Sequence, residues 1–404
     1  MTESSKQQAI VEKALEKWNG ILFCEPAWVA RDFLPPGYRL DLPEDQYDVG
    51  QRGYICERWL CSTTKADNAV GPDDEGLSYL ALEDERLTLK DACAAAGPLI
   101  MGEEYAKSHD NQLGRLAKIY DFAARIPHHI HQMKDDAAKV GANPKEEAYY
   151  FPEGVDVGPH PETFFGVHPS IVEQGKQEEV LLPYLVDWDS DLILRHSSAE
   201  LLVPGEGFHL PAGGLHAPGT ALTIELQEDS DVFAMLQALV AGKIIPKELL
   251  FKDVHPDDRA ARGERAVLDQ VDWELSGDPY FYENHHLEPQ PVEGPAQDGA
   301  AEHWIYYNTT KFSGKRLVIE PGKSFTSQDN GVYSVLVWRG KGTFDGLPIE
   351  SGIGPQSEFV VSRAKATQPV TIENTGAEDL MLIKFFGPDI NLEVPMIPKY
   401  PPNG

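Results

Sequence analysis

PHHIHQMKDDAAKVGANPKEEAYYFP, residues 127–152, is the stretch on which the fold assignment turns. Alternate residues of a β-strand share a face, so His129 and His131, spaced i, i+2, send both imidazoles to one side, while His128 points to the other. A carboxylate follows in the next strand-like piece, EEAYYFP. Glu147 is the candidate there, because its neighbour Glu146 faces the opposite way. Imidazole suits zinc and other first-row divalent ions, and a carboxylate completes such a donor set. A fourth ligand is available at His216, just after the LPAGG turn. Three His and one Glu leave coordination positions for water or for substrate oxygens, as a catalytic centre requires. A single buried His is more often a hydrogen-bonded core residue than a ligand; here the conjunction of four positions points to a metal. His209, in GFHLPAGG, is read as packing or as support behind the ligands.

Outward from this stretch the chain is punctuated by 35 Gly and 31 Pro. Many of the pieces between are short and β-rich: LILRHSSAELLVP, ALTIELQ, GVYSVLVWRGKGTF, LMLIKFFGP. Short strands between turn signals argue for a sandwich or jelly roll and against a parallel α/β sheet. The pieces IEPGKSFTS, WRGKGTFDGLPIESG and IENTGAEDL repeat the rhythm of LLVPGEGFHLPAGGLHAPGT, which predicts two domains of one mainly β architecture. The expected order is a helical segment over 1–20, a metal-binding domain over 21–230 with a helical insert at 104–125, a helical segment over 231–287, a linker at 288–300 (EPQPVEGPAQDGA) and a second β-domain over 301–404. All thirteen histidines fall at or before His303, so the last domain has no imidazole set to offer and reads as structural or as a lid.

The 404 residues carry 65 acidic against 35 basic side chains, a formal net charge of -30. That field repels phosphate backbones and anionic lipid, which excludes nucleic acid and membrane surfaces as natural partners. No run approaches the roughly 20 apolar residues of a membrane span, and the start, MTESSKQQAIVEKALEKW, has no apolar central run of a signal peptide. Four irregularly spaced cysteines, Cys24, Cys56, Cys61 and Cys93, fit reduced thiols in a cytoplasm. The Cys56/Cys61 spacing matches no zinc pattern well.

Several stretches, in order, resemble the motifs of the type I phosphomannose isomerases, metal-dependent cupin enzymes that interconvert an aldose phosphate and a ketose phosphate. ICERWLCST is similar to the family's IGEAWEIS-like segment, and GRLAKIYDFAARIPHHIHQMKDDA to its FPLLVKFLDA followed by QVHPDD. PKEEAYYFP is similar to KTEMWY, GFHLPAGGLHAPG to FFIPAGTIHAIG, and IELQEDSDV to VEIMANSDN. The likeness covers residues of about 20–260 and implies two cupin jelly-roll domains with a helical insert. It implies metal ligands at His129, His131, Glu147 and His216, with His129 standing where the family has Gln. It implies a zinc ion, or Mn, Fe, Co or Ni, and a sugar or sugar phosphate as substrate. It places the glutamate of the VEIMANSDN-like element on Glu225, the lysine of the LVKF-like element on Lys118, and substrate contacts on Asp231 and on Lys247 of IPK.

The chemistry implied is a proton shuttle between C1 and C2 of an open-chain sugar, with Glu225 as the base and Lys118 facing the developing oxyanion. Two departures bear on the substrate. Pro127 stands where the family has a phosphate-contacting Ser, and the Arg that follows its SDN element has no counterpart in SDVFAMLQALVAGKIIPK. Both losses point to a free sugar in place of a phosphorylated one. An epimerase or a dioxygenase on the same scaffold, or a non-catalytic sugar-binding cupin, are the other readings, since this architecture hosts many chemistries.

Overall fold

The computed structural model describes residues 2–401. The chain forms two compact units that interleave in sequence: the first is Met1–Val29, Arg58–Ile119 and Pro289–Met396, the second Ala30–Glu57, Tyr120–Glu288 and Ile397–Gly404. Consecutive domains at 21–230 and 301–404 were the expectation. The difference arises because strand pairing is non-local: Ile21–Phe23 pairs with Glu358–Val361, in the register Leu22↔Val360. No local pattern advertises such a partner.

The first unit is an antiparallel jelly roll. One sheet runs Ile21–Phe23, Glu358–Val361, Tyr333–Arg339, Leu380–Phe386, Ser313–Ile319, Ala300–Tyr306 and Gln290–Pro291. The other runs Ser324–Ser327, Val370–Asn374, Lys341–Phe344 and Leu347–Glu350. Leu317, Val335, Phe344, Phe359, Ile372 and Leu382 belong to its core. Along Val370–Asn374 buried and exposed positions alternate, as a strand with one wet face requires. The helix Glu3–Lys17 is capped by the Thr2 side chain, which accepts from Ser5 N (3.2 Å), and Leu89–Met101 by Thr88, which accepts from Asp91 N (3.0 Å).

Inside this roll lies a buried charge quartet. Lys315 and Lys384 are direct cross-strand partners, an arrangement that repels unless compensated. Asp329 lies between them, 2.7 Å from Lys315 Nζ and 2.9 Å from Lys384 Nζ, and Glu302 Oε1 is 2.6 Å from Lys384 Nζ. Burial alone would raise the Asp329 carboxyl; the two ammonium groups outweigh it and hold the pKa far below the usual range.

The second unit packs two sheets over one core. His286–Leu287, Gly207–Leu210, Glu147–Tyr150 and Thr223–Glu228 lie in one; Ala234–Met235, His129–Ile130, His216–Ala217, Glu162–Phe165 and Ser198–Leu201 form the other. Phe165 and Phe208, one from each, meet with ring centroids 5.0 Å apart. The architecture is thus mainly β, as the turn-punctuated sequence predicts.

Two helical expectations need correction. Within 104–125 only Glu103–Ser108 is helical; Arg115–Tyr120 is a strand, buried at all six positions. A strand buried on both faces shows no alternation, and periodicity alone does not separate it from a buried helix. Within 231–287 helix begins only at Lys247, as a 3-10 turn over Lys247–Phe251, and α-helix at Pro256. Ala234–Met235 is a strand, and Leu239–Val240 pairs with Lys243–Ile244 across Ala241 and Gly242, which both have positive φ (48° and 77°). That two-residue turn with φ > 0 at both positions fits the twist of a tight hairpin.

Candidate metal centre

Backbone pairing brings the imidazoles together. His129 sits opposite His216 in register, and Met235 flanks His129 on the other side. The turn before His216 is tied to the His131 strand by Gly213 N, which donates to His131 O (2.8 Å). Gly213 has φ +87°, a left-handed conformation that a side chain disfavours. Ring centroids of His129 and His216 are 3.9 Å apart, His129 and His131 4.8 Å, His131 and His216 5.1 Å.

Hydrogen bonding fixes the tautomers. Nδ1 of His129 lies 2.7 Å from Pro127 O, Nδ1 of His131 2.7 Å from Val232 O, and Nδ1 of His216 3.0 Å from Gly214 O. A carbonyl only accepts, so each Nδ1 carries the hydrogen and each Nε2 presents a lone pair. One ligand nitrogen from each ring lies within 4.8 Å of the other two. Burial, with the neighbouring imidazoles, holds His129 far below the ordinary histidine value. Burial and the Lys145 charge push His131 down to about 4. His129 and His131 are therefore neutral in neutral solution, as metal ligation requires.

Glu147 completes the cluster. Its Oε2 is 3.0 Å from His131 Nε2 and its Oε1 3.0 Å from His216 Nε2. His216 Nε2 is buried and has no hydrogen-bond partner among the described residues. Two acceptors held face to face at such a distance repel unless a cation is shared between them. The donor set of three imidazoles and one carboxylate fits a divalent metal ion on this ground. Tyr149, on the same strand face, donates from its hydroxyl to Glu147 Oε1.

One residue of this cluster escapes a reading that looks only for ligands. Lys145 is buried, donates to His131 Nε2 (3.0 Å), and pairs with Glu147 Oε2 (2.9 Å) and Glu225 Oε1 (3.3 Å). Burial would lower its pKa, but Glu147 and Glu225 outweigh that and hold the ammonium charged. The same i, i+2 rule that selects His129 and His131 puts Lys145, Glu147 and Tyr149 on one face. Glu147 is kept ionised in turn: its burial is outweighed by Lys145 and His131.

The remaining predicted residues are placed as follows. Glu225 is buried on Thr223–Glu228, opposite Tyr149 in register, with its carboxylate at Lys145. Asp231 is held by Arg31, whose Nη2 is 3.1 Å from Asp231 Oδ1 and whose Nε donates to Glu57 Oε1 (2.8 Å). Lys247 is bound elsewhere, to Glu264 Oε1 (2.6 Å) and to Val186 O (3.0 Å). Lys118 is buried on Arg115–Tyr120, in the first unit. All four cysteines are free and buried.

Behind the cluster, His209 Nε2 lies 3.0 Å from Glu146 Oε1, and the His285 ring is 5.4 Å from His209. Burial and His209 push His285 down to about 3. The unfolded chain protonates this group at about 6.5, while the folded chain keeps it neutral. Its contribution is therefore complete above the unfolded value and is lost as pH falls from there towards 3. His285→Phe is expected to flatten the acid limb of a stability–pH curve in that window, measured by denaturant unfolding at successive pH values.

No protein-family model matches this chain, and no curated protein matches it in sequence. Its fold is shared with solved structures. The mannose 6-phosphate isomerase from Bacillus subtilis superposes with a TM-score of 0.57 at 17% identity, covering 91% of this chain and 99% of that one. A lysine-to-alanine variant of the phosphomannose isomerase from Salmonella typhimurium gives 0.61 at 12% identity, covering 91% and 100%. At such identities the likeness shows the fold, in agreement with the cupin jelly rolls that the motif resemblance implies.

Proposed function

We propose that the second unit is a metal-dependent aldose–ketose isomerase acting on an open-chain sugar. The supporting observation is the convergence of His129, His131 and His216, each with Nδ1–H tied to a carbonyl, on the Glu147 carboxylate. Zinc, or Mn, Fe, Co or Ni, fits this set; when bound it supplies a Lewis acid towards the sugar's carbonyl and hydroxyl oxygens. The folds of mannose 6-phosphate isomerases from two organisms lend the reaction class their support.

The chain's own side chains then move the proton. Glu225 takes it from the carbon next to the carbonyl and returns it to the other carbon, giving an enediol(ate) between the two transfers. Lys145, 3.3 Å from Glu225 Oε1, gives a proton to the carbonyl oxygen that becomes a hydroxyl and recovers one from the hydroxyl that becomes the carbonyl. Asp231 serves as a contact to the sugar's far hydroxyls. No helix among the described residues is long and apolar enough to cross a membrane.

The test is isomerisation in deuterium oxide. Metal-loaded protein given mannose, fructose or their 6-phosphates should form the aldose–ketose partner and exchange the C1 or C2 hydrogen, with no requirement for oxygen. Retained metal with neither isomerisation nor exchange in any of the four sugars would exclude the reading.

A further inference from the structure

The charges buried around the centre bear on what it accepts. Among the described residues of the second unit, Arg31 and Lys145 are the buried Lys and Arg side chains. Each is spent on two carboxylates. Arg31 lies between Glu57 (2.8 Å) and Asp231 (3.1 Å), and Lys145 between Glu147 (2.9 Å) and Glu225 (3.3 Å). Those four carboxylates are themselves buried or nearly so, at 1–7% side-chain exposure. Two cations against four anions leave a deficit that one divalent ion closes. Within these six side chains a divalent ion brings the sum to zero, and both cations are already engaged.

We infer that the substrate of this centre is an uncharged polyhydroxy aldehyde or ketone, and that the balance of Arg31 and Lys145 against four carboxylates is what selects against a phosphate dianion. The inference rests on the isomerase reading and adds the substrate class to it. A phosphate needs several charge-assisted donors at once. Recruiting Arg31 for it strips Glu57 and Asp231, and a buried carboxylate that loses its partner is heavily penalised. Three more positive side chains of the unit are similarly occupied: Arg39 with Asp121, Lys252 with Asp253, Lys247 with Glu264. A neutral sugar asks nothing of this balance. Its hydroxyls donate to the carboxylates already present and accept from the ammonium and guanidinium edges.

The experiment compares kcat/KM for mannose and fructose with that for their 6-phosphates, on metal-loaded protein, with inorganic phosphate as a trial competitor. Free sugars are expected to be turned over within about tenfold of their phosphates or better, and phosphate should not compete. Asp231→Asn, which leaves one positive charge uncompensated, is expected to shift the ratio towards the 6-phosphate by about tenfold. Glu57→Gln is the parallel variant should that one fail to fold. A merely structural loss would lower both substrates together and leave the ratio unchanged. A preference of about a thousandfold for the 6-phosphate, with phosphate competing, overturns the inference and leaves the isomerase standing. If no sugar is turned over although metal is retained, the isomerase reading fails. Thermal protection by mannitol against that by mannitol 6-phosphate then decides the charge question, and stronger protection by the phosphate overturns it.

Discussion

His131→Ala is expected to yield protein that purifies without its metal and without isomerase activity. His131 is one of three imidazoles on a four-donor centre, and its Nε2 also receives the Lys145 ammonium. Zinc bound by four protein ligands gains about 10–16 kcal/mol in small folded sites. An equal share per ligand is then about 3–4 kcal/mol, or roughly two to three powers of ten in affinity. The internal control is His128→Ala on the adjacent position. His128 is equally buried but faces Ser197 and the core, with its Nε2 3.2 Å from Ser197 Oγ. That change leaves a cavity and should lower the melting temperature while metal content stays at one equivalent. Elemental analysis of both variants checks the pair. A metal equivalent retained in His131→Ala, or lost in His128→Ala, would remove the alternation on which the ligand set rests.

Lys145→Met should be the second large effect, and it separates chemistry from metal binding. The ammonium is paired with both Glu147 and Glu225. Removing a general acid or its charge costs about 10²–10⁴ in rate, so kcat should fall by that order while metal is retained. Stability should report the electrostatics. Without the ammonium, two buried carboxylates lose a partner, at a cost of about 3–5 kcal/mol. A divalent ion restores much of that, so added zinc should raise the melting temperature of Lys145→Met by more than it raises that of the parent. Equal shifts in the two proteins would show that Lys145 does not compensate the carboxylates. An unchanged kcat would remove it from proton transfer.

How much of this was legible in the sequence depends on whether the determinant was local. Alternation over residues 127–152 was enough to name His129, His131 and Glu147, and to turn His128 and Glu146 away. It would equally have named Lys145, had cations been sought beside ligands. Arg31 and Glu57 were beyond reach. They lie 200 and 174 positions from Asp231 on strands that only the finished fold brings to it, and neither carries a pattern pointing there. The mainly β architecture followed from turn spacing, but the strand at Arg115–Tyr120 did not, because a doubly buried strand loses its period. Interleaving of the two units was hidden for a related reason: which late strand accepts Ile21–Phe23 is decided by packing across the whole chain.

The quartet inside the first jelly roll has a consequence for how this chain can change over generations. Lys315, Lys384, Asp329 and Glu302 find their charge partners in one another, with the Ser327 hydroxyl bridging Lys384 and Asp329, so their substitutions are epistatic. Any single replacement strands an ion in the interior, whereas exchanging all four for well-packed apolar residues is close to neutral. The set is therefore a fitness valley with level ground on both sides. Drift across it requires several coincident changes, and a lineage that holds the quartet tends to keep it whether or not it still gains by it.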